Sequence, residues 1–248
     1  AKYSTTLVVS QCCKQSIKWV EHTFRDLDKA IYSLDGSLQD GARSVATNRS
    51  SVEPIAFLEY VIDHYDQLPD VSVFVHAHAS TWHQNDLLGF STSSIIARLN
   101  LAHVMKQGYQ PLRCEHAPGC GASSIDLNTT TTPLSSDIDL YAAKAKDDFQ
   151  EIDQSLFRKA WRELHGDAAL PARLAAPAYS QFAVTRPMIR SMSLERWMHY
   201  RQWVEETPLP NTHVARVFEY MWQYLFLGEG EHCPDVFTCA CDGFAVCF

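Results

Sequence analysis

The sequence predicts a single α/β domain built on a mostly parallel, twisted sheet with helices on both faces. Three observations carry that expectation. Short β-branched and aromatic runs at Leu7–Ser10, Lys29–Leu34, Val71–Val75 and Gln181–Thr185 alternate with stretches whose apolar residues recur at helical spacing. Strand, helix and strand follow one another by Leu34, the opening of a βαβ unit. The 248 residues, 46% of them hydrophobic, suffice for one large core, and no internal repeat or domain boundary divides them. Residues 1–248 are therefore read as one domain, with 115–136 as a long loop or lid and 229–248 as a Cys-rich tail.

Leu7–Ser10 is the first strand, Ile17, Trp19, Val20 and Phe24 begin a short amphipathic helix, and Lys29–Leu34 is a second strand closed by Asp35-Gly36. From Leu38 to Ser50 the chain is polar and irregular. Ile55, Leu58, Tyr60, Val61, Ile62 and Tyr65 then mark a helix, Leu68-Pro69-Asp70 stops it, and Val71–Val75 is a buried strand. Residues 86–108 hold one or two helical turns with Ile95, Ile96, Leu99, Leu101, Val104 and Met105 on the apolar face and Gly108 as the stop. Tyr109–Cys114 reads as a strand, and Glu115–Ser136, rich in Gly, Ser, Thr and Pro, as the long loop. Residues 147–166 return to helix, with Phe149, Ile152, Leu156, Phe157, Ala160, Trp161 and Leu164 on the buried side. An Ala/Pro linker at Ala168–Ala178 leads to the strand Gln181–Thr185, Pro187 opens a helix, and Leu194–Thr207 and Thr212–Phe226 are two more.

In an open α/β sheet, ligands sit outside the carboxyl ends of the strands. His76, His78 and His83 arrive where Val71–Val75 ends, with Trp82 beside the last. His76 and His78 are two apart on a strand, so they share a face and suit proton transfer; a third imidazole would offer a metal site. The bland alternative is a hydrogen-bonded polar strand end. Asp148 and Glu151 are three apart at a helix start, a placement the macrodipole alone would explain. Asp137 and Asp139 have the spacing of carboxylates that hold a divalent ion in many sugar transferases. Arg216 and Glu219 share a face of the late helix, as an internal ion pair or as part of a pocket. Arg186, just past a strand, is a candidate for an anionic group. Cys12-Cys13 stands where a nucleophile could, though a pair of small buried thiols explains it as well.

A formal charge of -8 opposes a nucleic-acid-coating protein but allows a local basic patch. No apolar run approaches the roughly 20 residues that span a bilayer, and Thr6–Val9 reads as a strand, not a leader. Eight cysteines with no Cys-x-x-Cys knuckle leave free thiols and short-loop disulfides open, and the compartment with them. Asn48-Arg49-Ser50 and Asn128-Thr129-Thr130 match the glycosylation acceptor pattern. The nucleophile elbow, the phosphate loop and Gly-x-Gly-x-x-Gly are all missing, which removes common hydrolase, nucleotidase and dehydrogenase assignments.

The order of motifs resembles a fungal family of domains of unknown function. The matching pieces are the Leu-Val-Val strand with Trp19, residues 53–66, residues 68–76 with Trp82-His83 behind them, Gln181–Arg186, Arg216–Trp222 and the Cys-rich tail. That family looks like the group that includes the arginine-containing cyclodipeptide synthases, which join arginine to a second amino acid from aminoacyl-tRNAs. The resemblance implies an aminoacyltransferase of the cytoplasm with no cofactor and no resident metal, whose partners are arginyl-tRNA and a second charged tRNA and whose product is a diketopiperazine. It assigns the family's Asp-x-x-Glu to Asp148 and Glu151, the only such spacing in the chain. Asp148, Glu151, Glu53 and Glu219 would then meet a guanidinium, His76, His78 or His83 would deprotonate the attacking amine, and Trp82, Arg186 and Arg216 would line the substrate site. Binding tRNA would call for a basic face, formed by Arg186, Arg190, Arg196 and Arg201. The sequence departs from the commoner family pattern in residues 1–50 and in the Thr-rich loop. The rival expectation, on a sheet that is GT-A-like instead of Rossmann-like, is a nucleotide-sugar-dependent glycosyltransferase with a divalent metal and a secretory compartment; a non-catalytic lectin-like module is the third.

Overall fold

In the computed structural model, which describes residues 3–13, 15–36, 41–49, 52–128, 154–178 and 180–248, the Leu-Val-Val run lies inside β1 (Thr5–Gln11). Helix α1 (Lys18–Thr23) leads back to β2 (Asp28–Ser33), and a three-residue edge strand β3 (Ala42–Ser44) follows. Helix α2 (Pro54–His64) crosses the sheet, with Pro54 in its first turn where no intrahelical donor is lost, and delivers the chain to β4 (Val71–His76). Two seven-residue helices, α3 (Thr92–Arg98) and α4 (Leu101–Gln107), replace the one or two turns expected there. Asn100 caps α4 and Gly108 ends it in the left-handed conformation. The remaining elements are β5 (Tyr109–Pro111), β6 (Ile125–Asp126), α5 (Gln154–His165), β7 (Arg173–Leu174), β8 (Phe182–Thr185), α6 (Arg186–Arg190), α7 (Leu194–Glu206), α8 (Asn211–Leu227) and α9 (Val236–Phe244).

Among the described residues the main sheet has six strands in the order β3-β2-β1-β4-β8-β5. β1 pairs in parallel with β2 and β4, β2 with β3, and β8 alone runs against its neighbours β4 and β5. A mixed α/β domain with a mostly parallel sheet is therefore the observed class. Alternation along β4 supplies both faces of the core. Phe74 points into one layer with α2, α5, α7 and α8, where its ring meets Phe57 at 5.0 Å and Phe182 at 4.9 Å. Val71, Val73 and Val75 point into the other, against Val104 of α4 and Phe244 of α9.

Three expectations are corrected at this level, and the tail gains an element not foreseen. The stretch 38–50 is not wholly irregular, because Ala42–Ser44 adds a sheet edge. The strand after Gly108 ends at Pro111, three residues early. The long loop contains β6, and β6 pairs with β7 inside the supposed Ala/Pro linker. The Cys-rich tail folds into α9.

Three disulfides staple this end of the molecule: Cys114–Cys239, Cys120–Cys233 and Cys241–Cys247. The first two tie the loop after β5 to the tail across 125 and 113 residues. Between them Gly119 holds φ +116°, and a Cβ there would strike the Ala176 carbonyl, so only glycine fits. Among the described residues, no helix is long and apolar enough to cross a membrane.

Candidate active site

From β1 the chain first builds outward through β2 and β3 and then returns to β4 on the other side of β1. The crevice at the carboxyl ends of β1 and β4 is thus the topological switch point, where open α/β sheets take their ligands. Ser10 of β1 stands in register with His76, the last residue of β4.

Glu53 comes to this crevice because α2 starts there, at the end of the crossover from β3. Its carboxylate contacts His76 Nδ1. The helix N-terminus favours a negative charge at that position. A carboxylate on Nδ1 draws the proton to that nitrogen, makes Nε2 the basic one and stabilises the imidazolium when it forms.

His78 is held from two sides. Gln15 Nε2 lies 2.8 Å from His78 Nε2, while the Gln15 carbonyl accepts from Gln11 Nε2 at 2.8 Å. The Thr92 hydroxyl donates to the His78 carbonyl at 2.7 Å, and the Trp19 indole N–H donates to the Ala77 carbonyl at 2.8 Å. His83 folds back through Ala79–Thr92 pairing, with its Nδ1 3.2 Å from the Thr81 hydroxyl. The rings of His76 and His83 are 5.3 Å apart, His76 and His78 6.4 Å, and His78 and His83 6.2 Å.

Burial first, then the neighbouring His76, His78 and Arg113, holds the His83 imidazole down to about 3. His78 is lowered too, by burial and by His76 against the opposing pull of Glu53. Both rings therefore stay neutral at physiological pH and can donate one N–H while accepting at the other nitrogen. Glu219 comes from α8 and pairs with Arg216 at 2.7 Å. Its carboxyl is raised, mainly by burial and further by Glu53, with Arg216 and His76 opposing. Trp82 is 64% exposed, its ring 5.4 Å from His83, and offers a flat apolar surface at the rim.

The structure thus brings together His76, His78, His83, Glu53, Glu219, Arg216 and Trp82. Arg186 is a correction. Because β8 is antiparallel, its carboxyl end meets the amino end of β4, Thr185 opposite Val71. Arg186 therefore lies at the far end of the sheet from the histidines, bound to Asp70 at 2.5 Å and to the Leu68 carbonyl. The arginines suggested for tRNA each hold a partner within the fold. Arg190 holds the Tyr65 carbonyl, Arg196 holds Tyr200 and His165, and Arg201 bridges Glu59 and Glu205. Asp137, Asp139, Asp148 and Glu151 lie outside the described residues. Cys12 and Cys13 are half-buried and exposed, not a buried pair. Burial, then Cys13, Asp35 and Glu53, push the Cys12 thiol up to about 12, so it is not a standing thiolate of the kind a catalytic cysteine needs at neutral pH. Among the described residues, no three His, Cys, Asp or Glu side chains are placed to hold a metal ion.

Sequence reasoning passes over Gln11 and Gln15. Gln11, fully buried at the end of β1, is a polar residue closing an apolar strand at the switch point, and that signal is open to reading. Gln15 carries no such mark; only the folded turn shows that it reaches His78.

A family model described as "Protein of unknown function (DUF3431)" matches residues 7–242. No curated protein and no solved structure matches the chain.

Proposed function

The chain belongs to the DUF3431 family, and from that premise we propose that it is a group-transfer enzyme of an oxidising compartment, a nucleotide-sugar-dependent glycosyltransferase. The observation that carries this choice over an aminoacyl-tRNA enzyme is the set of three disulfides. Charged tRNA is a cytosolic substrate, whereas disulfides persist in secretory and extracellular compartments. The sheet supports it further. Its order departs from the all-parallel 3-2-1-4-5-6 Rossmann arrangement after the fourth strand, where β8 runs antiparallel, and of the two sheet expectations this favours the one that is not Rossmann-like.

In such a reaction the acceptor hydroxyl attacks the anomeric carbon, the bond from that carbon to the diphosphate breaks, and the nucleoside diphosphate leaves. His76 Nε2 takes the hydroxyl proton, and Glu53 stabilises the resulting imidazolium through Nδ1. His78 and His83, held neutral, supply ring N–H donors toward the charge that develops on the leaving group. Trp82 stacks on the apolar face of a sugar ring. A divalent ion, if used, would neutralise diphosphate charge; the carboxylates suggested for it, Asp137 and Asp139, lie outside the described residues, and no step is routed through it.

The arginine-dependent cyclodipeptide synthase is the second reading. What favours it is the pair of carboxylates, Glu53 and Glu219, within electrostatic reach of one another beside His76, a setting suited to a guanidinium. One experiment separates the two. The protein is incubated with a panel of nucleoside-diphosphate sugars, and in parallel with charged tRNAs with and without ribonuclease, and products are identified by mass. Nucleoside diphosphate release with a sugar added to an acceptor is the expected result. An arginine-containing diketopiperazine that vanishes with ribonuclease would replace the first reading by the second.

A further inference from the structure

Six of the eight cysteines pair in three disulfides, and the two that remain are neighbours in sequence, Cys12 and Cys13, at the carboxyl end of β1. Their sulfurs lie 2.7 Å apart, well inside the separation of two sulfurs in ordinary contact. Cys13 holds φ at +57°, a left-handed conformation uncommon for a residue of its kind, and strain of that sort collects at functional segments. The turn beyond it is closed by the Gln15 N–H donating to the Cys12 carbonyl at 3.0 Å and the Cys12 N–H donating to the Gln15 side-chain oxygen at 3.4 Å. The amide nitrogen of that same side chain reaches His78 at 2.8 Å. Cys12 also lies within electrostatic reach of Glu53.

We propose that Cys12 and Cys13 close a vicinal disulfide, and that opening or closing it resets the turn through which Gln15 positions His78. The second half rests on His78 belonging to the functional site, whichever group is transferred there. Closure is thiol–disulfide exchange with a glutathione-type or protein disulfide. The thiolate of Cys13, the exposed member, attacks one sulfur of that disulfide and releases a thiol. The Cys12 sulfur, after giving up its proton, then displaces the second thiol from the mixed disulfide. Two cysteine thiols are oxidised and one external disulfide is reduced to two thiols.

Covalent geometry makes this bridge unlike the other three. Adjacent residues hold their Cα atoms about 3.8 Å apart, below the roughly 4.4–6.8 Å that disulfides ordinarily span. A bridge forced into that spacing is strained, and strained, accessible disulfides are the ones reduced first. The Cys114–Cys239 and Cys120–Cys233 bridges, at 5.7 and 6.0 Å between Cα atoms, lie inside the ordinary range.

The test uses the full chain secreted from an oxidising compartment, and it needs no substrate. The protein is unfolded and alkylated without reductant, digested, and the peptide holding both cysteines is weighed. A peptide without alkyl groups and two hydrogens lighter than the dithiol supports the proposal; two alkyl groups overturn it. A reductant series follows. The Cys12–Cys13 bridge is expected to open at a concentration at least tenfold below that needed for Cys114–Cys239, with the His78 ring signals moving in the same step. Opening together with the other bridges, or opening with the His78 signals unmoved, overturns the switch. A Cys13→Ala chain separates linkage from general reduction, since its His78 signals should ignore the same mild reductant; signals that still respond overturn the link to this pair.

Discussion

Replacing His76 by alanine is expected to lower turnover by about 10²- to 10⁴-fold, the range that one positioned general base contributes. Its Nδ1 meets the Glu53 carboxylate, and a carboxylate there is what makes a histidine basic and correctly oriented. Stability should change little, because His76 ends β4 at the crevice and keeps its side chain 23% exposed. A melt within a few degrees of the parent, with lost turnover, is therefore the expected pair of results. Glu53→Gln should give an intermediate loss, since glutamine can still accept from Nδ1–H but no longer offsets the positive charge of the imidazolium. Normal turnover in His76→Ala would remove the base from the proposed mechanism, whatever the melts show.

The second large effect concerns stability. Replacing Cys114, Cys239, Cys120 and Cys233 together by alanine removes the nested links across 125 and 113 residues, and Cys241→Ala with Cys247→Ala removes one across 6. On the chain-entropy expression the inner of the two nested links costs about 5 kcal/mol and the outer, which closes only about six further residues on either side of it, about 3 kcal/mol, against about 2 kcal/mol for the short one. For a domain of this size each kcal/mol moves Tm by roughly 2–4 °C, so losing both long-range links should lower it by roughly 15–30 °C and losing the short one by less than half of that. Cys114 and Cys239 are also buried against Leu112 and Ala240, which adds a packing loss to the entropic one. Calorimetry under non-reducing conditions measures both; equal shifts, or none, would show that these bridges do not hold the tail to the sheet.

The parallel core and the histidine cluster were legible because their signals are local. Val71–Val75 is a short β-branched run, and three imidazoles stand in the eight residues from His76 to His83. The direction of β8 was not legible. Phe-Ala-Val-Thr carries the same apolar pattern read either way, and only its pairing with Val71–Phe74 fixes it as antiparallel. That one reversal moved Arg186 from the candidate site to the opposite end of the sheet. β3 escaped because Ala-Arg-Ser has no apolar alternation and pairs on one side only. The dyad itself joins Glu53 to a histidine across the whole of α2 and β4, so both partners could be named as candidates while their contact came from the crossover. Cysteine pairing was closed to sequence for a combinatorial reason, eight cysteines allowing about 105 connectivities.

If the carboxyl ends of β1 and β4 form the ligand site, organised by His76, His78 and His83, those three rings must sense what binds there. The most direct measurement is a nuclear magnetic resonance titration of the histidine ring protons, across pH and with rising nucleoside diphosphate. The His83 ring should remain neutral from pH 7 until about 3, and added nucleotide should shift the signals of these three rings while leaving His165 and His199 in place. Histidines at 76, 78 and 83 that ignore the ligand while others respond, or His78 and His83 titrating together near the ordinary imidazole value, would contradict it.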